Sequence, residues 1–101
     1  MSIPETRILY FGPPLGFYEP DRFDAFVKNE VKVELGCSST PNFEGNLPNR
    51  TYHFPEHRIG IKYGQRSLPS GQRCLVNLMF TPNGRVNADK VQALFFRKDN
   101  E

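Results

Sequence analysis

Apolar and polar residues alternate over short stretches of the chain, and turn-forming residues separate these stretches. Residues 31–35 show the clearest alternation, with apolar side chains at every second position, which is typical of a half-buried strand. Nine prolines and eight glycines leave few windows long enough for a helix, whereas the β-branched and aromatic residues between them favour strands. The pattern therefore predicts an all-β fold with strands at residues 7–11, 16–19, 24–28, 31–35, 51–54, 58–63 and 73–80.

Two segments show no clear alternation of apolar and polar residues. Residues 36–50 are rich in turn-forming residues and are predicted to form a long surface loop. Residues 87–94 fit either a helix, which Asn87 could cap, or a strand that returns from a tight turn at residues 81–84. We favour the strand, because the turn signal is strong and the apolar residues that follow it also suit a strand.

Length and composition limit the kind of protein further. The chain has 101 residues, which is the size of a single domain, so residues 1–101 are expected to form one. No apolar run approaches the roughly 18 residues that cross a membrane, and the first residues do not resemble a secretory signal. We therefore expect a cytoplasmic protein with no membrane partner, in which Cys37 and Cys74 are reduced thiols.

Two blocks of the sequence resemble the cold-shock domain family. Residues 10–28 (YFGPPLGFYEPDRFDAFVK) are similar to that family's pattern W-F-N-x-x-K-G-F-G-F-I-x-P-D, followed by D-V-F-V-H, although Lys28 takes the place of the histidine. Residues 67–75 (SLPSGQRCL) are similar to its S-L-x-x-G-Q-x-V turn and strand, and residues 83–91 to its closing strand. The resemblance implies a small five-stranded barrel of the oligonucleotide-binding type (OB-fold), with a long loop or hairpin insertion at about residues 32–66.

The same resemblance implies a surface that binds single-stranded RNA or DNA. Family members stack exposed rings of their second and third strands on bases; Phe17 and Phe26 match those positions, and Tyr10 lies at the place of the tryptophan. Such stacking contributes about 1–3 kcal/mol per base, and nearby cations neutralise the phosphates. Each ring could equally pack inside a small barrel. The predicted nucleic-acid-binding residues are Tyr10, Phe17, Tyr18, Phe26, Lys28, Arg7 and Arg22.

The net charge of +2 is too small to argue for nucleic acid by itself, so binding depends on local patches. Residues 32–66 offer such a patch, because aromatic residues alternate with basic ones there. The patch could extend a nucleic-acid surface, dock a protein partner or a second copy of the chain, or be no more than a decorated loop. The alternative function is therefore a protein-interaction module, regulatory or inhibitory, that uses this insertion. Its aromatic and basic residues are Phe43, Tyr52, Phe54, Tyr63, Arg50, Arg58, Lys62 and Arg66.

The sequence offers little support for catalysis or metal binding. His53 and His57 fit the H-x-x-E-H spacing of zinc proteases, but that chemistry needs both rings on one helix, and Pro55 would break it. The sequence holds no glycine-rich phosphate loop, no G-x-S-x-G motif and no evident pair of catalytic carboxylates. We expect a protein that is not an enzyme and needs no metal or cofactor.

Overall fold

In a computed structural model of the chain, residues 5–11, 19–69, 71–81 and 87–99 are described. Helix α1 (Pro20–Ala25) continues through a π-helical stretch (Phe26–Val31) into helix α2 (Lys32–Leu35), and helix α3 (Ala88–Asp99) follows the last strand. We call residues 20–35 the N-terminal helical segment. The strands are β1 (Glu5–Phe11), β2 (Asn42–Asn46), β3 (Asn49–Phe54), β4 (Ile59–Leu68) and β5 (Gly71–Phe80).

The five strands form one antiparallel sheet in the order β1-β5-β4-β3-β2. Strands β2 to β5 follow one another as a meander, and β1 pairs with the last of them. Within the described residues, β1 and β2 each pair on one side only, so the sheet is open. A mostly β protein with five strands is thus confirmed, whereas the barrel and the OB-fold are not confirmed.

The apolar core lies between one face of the sheet and the helices. Phe23 of α1 stacks on Tyr63 of β4, with their ring centroids 4.4 Å apart. Phe95 of α3 contacts the rings of both Phe23 and Phe26. Strand residues at alternate positions, such as Val76, are fully buried on this side. Both helical regions therefore cover the same face of the sheet, which we call the helical face.

The strands predicted at residues 24–28 and 31–35 are wrong, because both stretches lie in the N-terminal helical segment. A strand would place Val33 on the same face as the buried Val31, but Val33 is 78% exposed. Pro20 lies in the first turn, and Gly36, with a φ of 70°, ends the helix in the left-handed conformation that glycine tolerates best. The buried residues recur every three or four positions, as on one face of a helix; they are Phe23, Phe26, Val27 and Val31.

The strand predicted at residues 87–94 is also wrong, because helix α3 occupies this part of the chain. Asn87 caps the helix, since its side-chain oxygen accepts a hydrogen bond from the backbone N–H of Lys90 at 3.2 Å. Val91 and Leu94 are buried and attach the helix to the core. None of the helices formed by the described residues has the length and apolar character that a membrane span needs.

The loop predicted at residues 36–50 is wrong in part, because it contains β2 and the start of β3. The insertion predicted at about residues 32–66 holds two whole strands and most of a third, so it is an integral part of the sheet. The strand predicted at residues 16–19 and the turn at residues 81–84 lie largely outside the described residues. The strand predictions that the structure confirms are residues 7–11, 51–54, 58–63 and 73–80.

Candidate nucleic-acid interface

The described helices leave the opposite face of the sheet uncovered. Successive side chains of a strand point to opposite faces, so the residues between the buried ones lie on this second face. The strand pairing aligns them in rows, one of which contains Tyr10, Leu75 and Gly64. No helix of the described ranges packs against this side, since the buried core lies on the other. We call this side of the sheet the open face.

Two apolar side chains of the edge strand β1 are exposed on the open face. Ile8 is 53% exposed and Tyr10 is 51% exposed. Tyr10 lies directly opposite Leu75 on β5. Arg73 is therefore the diagonal neighbour of Tyr10 in the same pair of strands, at a separation that long side chains bridge. The open face thus carries a half-exposed ring on β1 and a basic residue at the diagonal position on β5.

Three basic residues of the open face form no ion pair with any described residue. Lys62, Arg66 and Arg73 belong to this face by register, and no ion pair in the described part of the chain involves any of them. Glu5 and Glu44 are the only carboxylates on the five described strands, and only Glu44 shares the open face. The positive charge of the sheet is therefore concentrated on the side away from the helices.

Arg66 and Arg73 are direct cross-strand partners in β4 and β5. Like charges in this arrangement repel each other, at a cost of up to about 1 kcal/mol. Each guanidinium donates to a neighbouring backbone carbonyl instead, Arg66 to that of Gln65 and Arg73 to that of Gln72, both at 2.9 Å. Because the described residues offer the pair no carboxylate, an anion from outside the chain would relieve the repulsion.

Two clefts lie next to each other along β3 and β4. One, with a volume of about 450 Å³, is bordered by residues that include His53, Gly60 and Met79, and we call it the apolar cleft. The other, of about 420 Å³, is bordered by residues that include Glu44, Thr51 and Lys62. We call it the basic cleft, because its three basic residues outnumber this one carboxylate. His53 pairs with Gly60 and Thr51 pairs with Lys62. The clefts are therefore two residues, or roughly 7 Å, apart along the strands.

The side-chain amide of Asn77 adds an unsatisfied acceptor to this face. Its carbonyl oxygen Oδ1 is buried and has no hydrogen-bond partner among the residues that the structure describes. Asn77 lies opposite Ile8 on one side and Lys62 on the other. An unsatisfied buried acceptor costs about 1–3 kcal/mol and is rare in native proteins. Because the atom is buried, it contributes this cost to the fold and offers no contact to a ligand.

The structure separates the residues that the sequence predicted as one binding surface. Of those it describes, Tyr10 alone lies on the open face. Phe17 and Tyr18 lie outside the described residues. Arg7 belongs to the helical face, where it forms ion pairs with carboxylates of β1 and α3. Arg22 is exposed on helix α1.

Phe26 and Lys28 require a correction. Predicted as neighbours on one side of a strand, they lie instead in the π-helical stretch. Phe26 is 3% exposed and packs edge-to-face on Phe95 at 5.0 Å, so its ring is not available to a base. Lys28 forms an ion pair with Asp24 at 3.0 Å, and its ammonium group lies 4.6 Å from the ring centroid of Phe43. Both side chains therefore contribute to the packing of the helical face.

Asp24 attaches the N-terminal helical segment to strand β3. Its carboxylate accepts hydrogen bonds from Arg50 at 2.6 Å and from the hydroxyl of Tyr52 at 2.7 Å, and it pairs with Lys28. Burial opposes the ionisation of Asp24 and is the largest single influence, but hydrogen bonds from these three groups together outweigh it and hold its pKa below the ordinary value. Burial, and then the hydrogen bond to Asp24, raise the pKa of Tyr52. Asp24 thus forms ion pairs with two cations and acts as a structural link.

A second polar contact joins Cys37 and His57, whose Sγ and Nδ1 atoms are 3.1 Å apart. Burial raises the pKa of the Cys37 thiol, and the carboxylate of Glu56 raises it further, so this thiol is not an activated nucleophile. His53 lies on β3 and His57 in the turn that follows, so the two histidines do not share a helix. Within the described ranges, no group of three or more His, Cys, Asp or Glu side chains could hold a metal ion.

Three residues of the open face were missed by the sequence reasoning: Arg73, Asn77 and Met79. All of them belong to residues 73–80, which were predicted as a strand, and they alternate with its buried positions. That alternation was a usable signal, because it places the three side chains on one face. Lys62 was predicted only as one of the aromatic and basic residues of the insertion, and not as part of a surface shared with β5.

Comparisons of the chain with models of protein families, with curated proteins and with solved structures find no match. The cold-shock resemblance therefore remains a prediction. What the structure defines is a class of architecture. It is an open antiparallel sheet with helices on one face and a basic, partly apolar surface on the other.

Proposed function

We propose that the protein binds single-stranded RNA or DNA on the open face of its sheet and catalyses no reaction. The observation that supports this most directly is the pair Arg66 and Arg73. The two residues face each other across β4 and β5 without a carboxylate from the described residues, and Arg73 is diagonal to the half-exposed ring of Tyr10. A single strand supplies what this surface lacks, because it combines phosphates with flat, unpaired bases.

Tyr10 provides the stacking contact in this proposal. A base stacked on an exposed ring contributes about 1–3 kcal/mol, with little preference for sequence. Ile8 and Leu75 border the ring and offer apolar contacts to a sugar or a base edge. A duplex keeps its bases paired and stacked, so an unpaired strand is the better ligand for a sheet face. The ligand is the one that the cold-shock resemblance implies, but only one residue of the originally expected site is retained.

The electrostatic contribution is local, because the net charge of the chain is only +2. For a single strand, each neutralised phosphate contributes about 0.7 to the slope of log affinity against log salt concentration. Contacts from Lys62, Arg66 and Arg73 therefore predict a slope of about −2. This value is much shallower than the slope of about −10 measured for a large DNA-binding repressor.

Fluorescence anisotropy with a labelled single strand of about eight nucleotides tests the proposal. We expect binding that weakens with salt at the slope given above. Lys62→Gln should weaken binding by about tenfold, the effect of one charge-assisted contact. Lys90→Gln is the matched control, because it makes the same change of charge on helix α3, where Lys90 pairs with Glu34 at 3.6 Å.

Two results would overturn this proposal. The first is a wild-type protein that shows no binding at low salt. The second is an equal loss of affinity in Lys62→Gln and Lys90→Gln, because the open face would then contribute nothing specific. A duplex of the same sequence provides a third measurement, and it should compete more weakly than the single strand.

Self-association through strand β2 is a second candidate function. Every residue of β2 is exposed, its outer edge pairs with no described strand, and its Phe43 is 48% exposed. An unpaired strand edge can accept a strand of another chain. Analytical ultracentrifugation decides this point. A mass that rises with concentration, and falls back to the monomer in Phe43→Glu, supports a second copy as partner, whereas a constant monomer mass excludes it.

A further inference from the structure

The apolar cleft lies beside a glycine of strand β4. Gly60 borders it, and a Cβ atom added to this glycine would come within 3.0 Å of Cε of Met79. Met79 lies opposite Gly60 in β5, and His53 lies opposite it in β3. A glycine inside a strand often marks the close approach of a ligand or another backbone. Here the side chains of Met79 and His53 occupy the space over the glycine, so a thioether and an imidazole form this part of the border of the cleft.

The chemistry of this cleft suits a planar aromatic ligand. The sulfur of methionine makes favourable contacts with aromatic rings. Arg58 also borders the cleft, and a guanidinium group both stacks on aromatic faces and donates hydrogen bonds. Thr81 adds a hydroxyl that can donate and accept. An apolar cleft with a few polar groups at its border is typical of a site for a small ring system.

The neighbouring basic cleft restricts the choice of planar ligand. Lys62 and Arg66 border it together with Glu44, whose single carboxylate leaves the cleft with an excess of positive charge. It lies roughly 7 Å from the apolar cleft along the strands. A ligand that occupies both clefts needs a ring at one end and negative charge at the other. A nucleotide within a strand has both of these groups.

We infer that the apolar cleft receives one unstacked base of the bound strand, while Lys62 and Arg66 hold the phosphate beside it. This inference rests on the proposed function and deepens it. It makes the site directional, because base recognition lies at the end with His53 and Met79 and phosphate binding at the other. It also explains a preference for single strands, since a base must leave its stack to enter the cleft.

The methyl signal of Met79 reports directly on the cleft. The chain has two methionines, so protein that is isotope-labelled at the methionine methyl groups gives two NMR signals, which Met79→Leu assigns. The probe is a single strand of about eight nucleotides, intact or with one abasic position placed at each site in turn. We expect the intact strand to shift the Met79 signal by its ring current. One abasic position should abolish this shift and weaken binding by about tenfold.

His53→Ala and His57→Ala form a matched pair, because His57 lies in the next turn and is not among the residues that border either cleft. We expect His53→Ala to remove most of the difference in affinity between intact and abasic strands, and His57→Ala to keep it. If the wild type binds but the Met79 signal does not move, or if both variants keep the difference, the cleft inference is wrong and the proposed function stands. If the wild type does not bind at low salt, both are wrong.

Discussion

The two faces of the sheet differ in how completely the chain satisfies its own side chains. On the helical face, aromatic rings pack on one another, and Asp24 forms ion pairs with both Lys28 and Arg50. On the open face, Arg66 and Arg73 lie opposite each other with no carboxylate from the described residues. The described side chains of the helical face partner one another, whereas no described residue pairs with the basic groups of the open face. We therefore assign stability to the first face and propose binding for the second.

Removing a ring from the helical face should have the largest effect on stability. Phe23 is fully buried and stacks on Tyr63, so Phe23→Ala leaves a cavity between helix and sheet. We expect the free energy of unfolding to fall by about 3–5 kcal/mol, measured by urea denaturation. Val33→Ala, at a position that is 78% exposed, should change it by less than about 0.5 kcal/mol. Similar losses in both variants would show that the helices are not firmly attached to the sheet.

The central strands could be predicted from the sequence, whereas the helices could not. Residues 73–80 alternate because one face of β5 lies on the core and the other does not. Residues 31–35 alternate as well, yet they end a helix in which Val31 is buried and Val33 is exposed. The helical signal was the spacing of Val27 and Val31, four residues apart, and it becomes clear only over a longer window.

The candidate site was less predictable than the strands, because it depends on which face the helices cover. Tyr10 was identified as a stacking residue, but so was Phe26, which the helical segment buries. The alternation of buried and partly exposed residues in β5 places Arg73 on the open face and Cys74 on the helical face. That Arg73 lies opposite Arg66 depends on the register between two strands, which composition and spacing do not determine.

A smaller loss of stability is expected when the link between the N-terminal helical segment and β3 is weakened. Asp24→Asn removes the negative charge that Arg50 and Lys28 share, and it keeps the size of the side chain. The side chains of Asp24 and Arg50 are only 17% and 13% exposed, so we expect a loss of about 1–3 kcal/mol at neutral pH. Asp21→Asn makes the same change at an exposed position of α1 and should cost less than about 1 kcal/mol.

The same carboxylate should make stability depend on pH in the acid range. The pKa of Asp24 in the folded protein lies below its ordinary value of 3.8, so the folded state binds this proton less readily than the unfolded chain does. The stabilisation is therefore present above pH 3.8 and is lost as the pH falls through the folded-state pKa. Urea unfolding at a series of pH values measures the free energy of unfolding of wild type and Asp24→Asn. We expect the difference between the two to become smaller as the pH falls over this range. If this difference does not change with pH, the Asp24 carboxylate is not the source of the pH dependence.

Charge reversal on the open face should change stability and binding in opposite directions. In Arg66→Glu, the new carboxylate lies opposite Arg73 and replaces a repulsive cross-strand pair with an attractive one. We expect the free energy of unfolding to rise by about 0.2–1 kcal/mol and the affinity for a single strand to fall at least about tenfold. Arg97→Glu on α3 makes the same change of charge away from the sheet and should affect affinity much less. A loss of both stability and affinity in Arg66→Glu would mean that Arg66 is mainly a structural residue.

The smallest effect on stability is expected at Tyr10, where the comparison between the faces is tested most directly. Its ring is 51% exposed on an edge strand, so Tyr10→Ala should change the free energy of unfolding by less than about 0.5 kcal/mol. Binding should weaken by the stacking contribution of about 1–3 kcal/mol. Phe43→Ala is the matched control, because that ring is 48% exposed but contacts Lys28 and Arg50 on the helical side. Phe43→Ala should lower the free energy of unfolding and leave the affinity for a single strand unchanged. If Tyr10→Ala loses stability while Phe43→Ala loses affinity, the roles of the two faces are reversed.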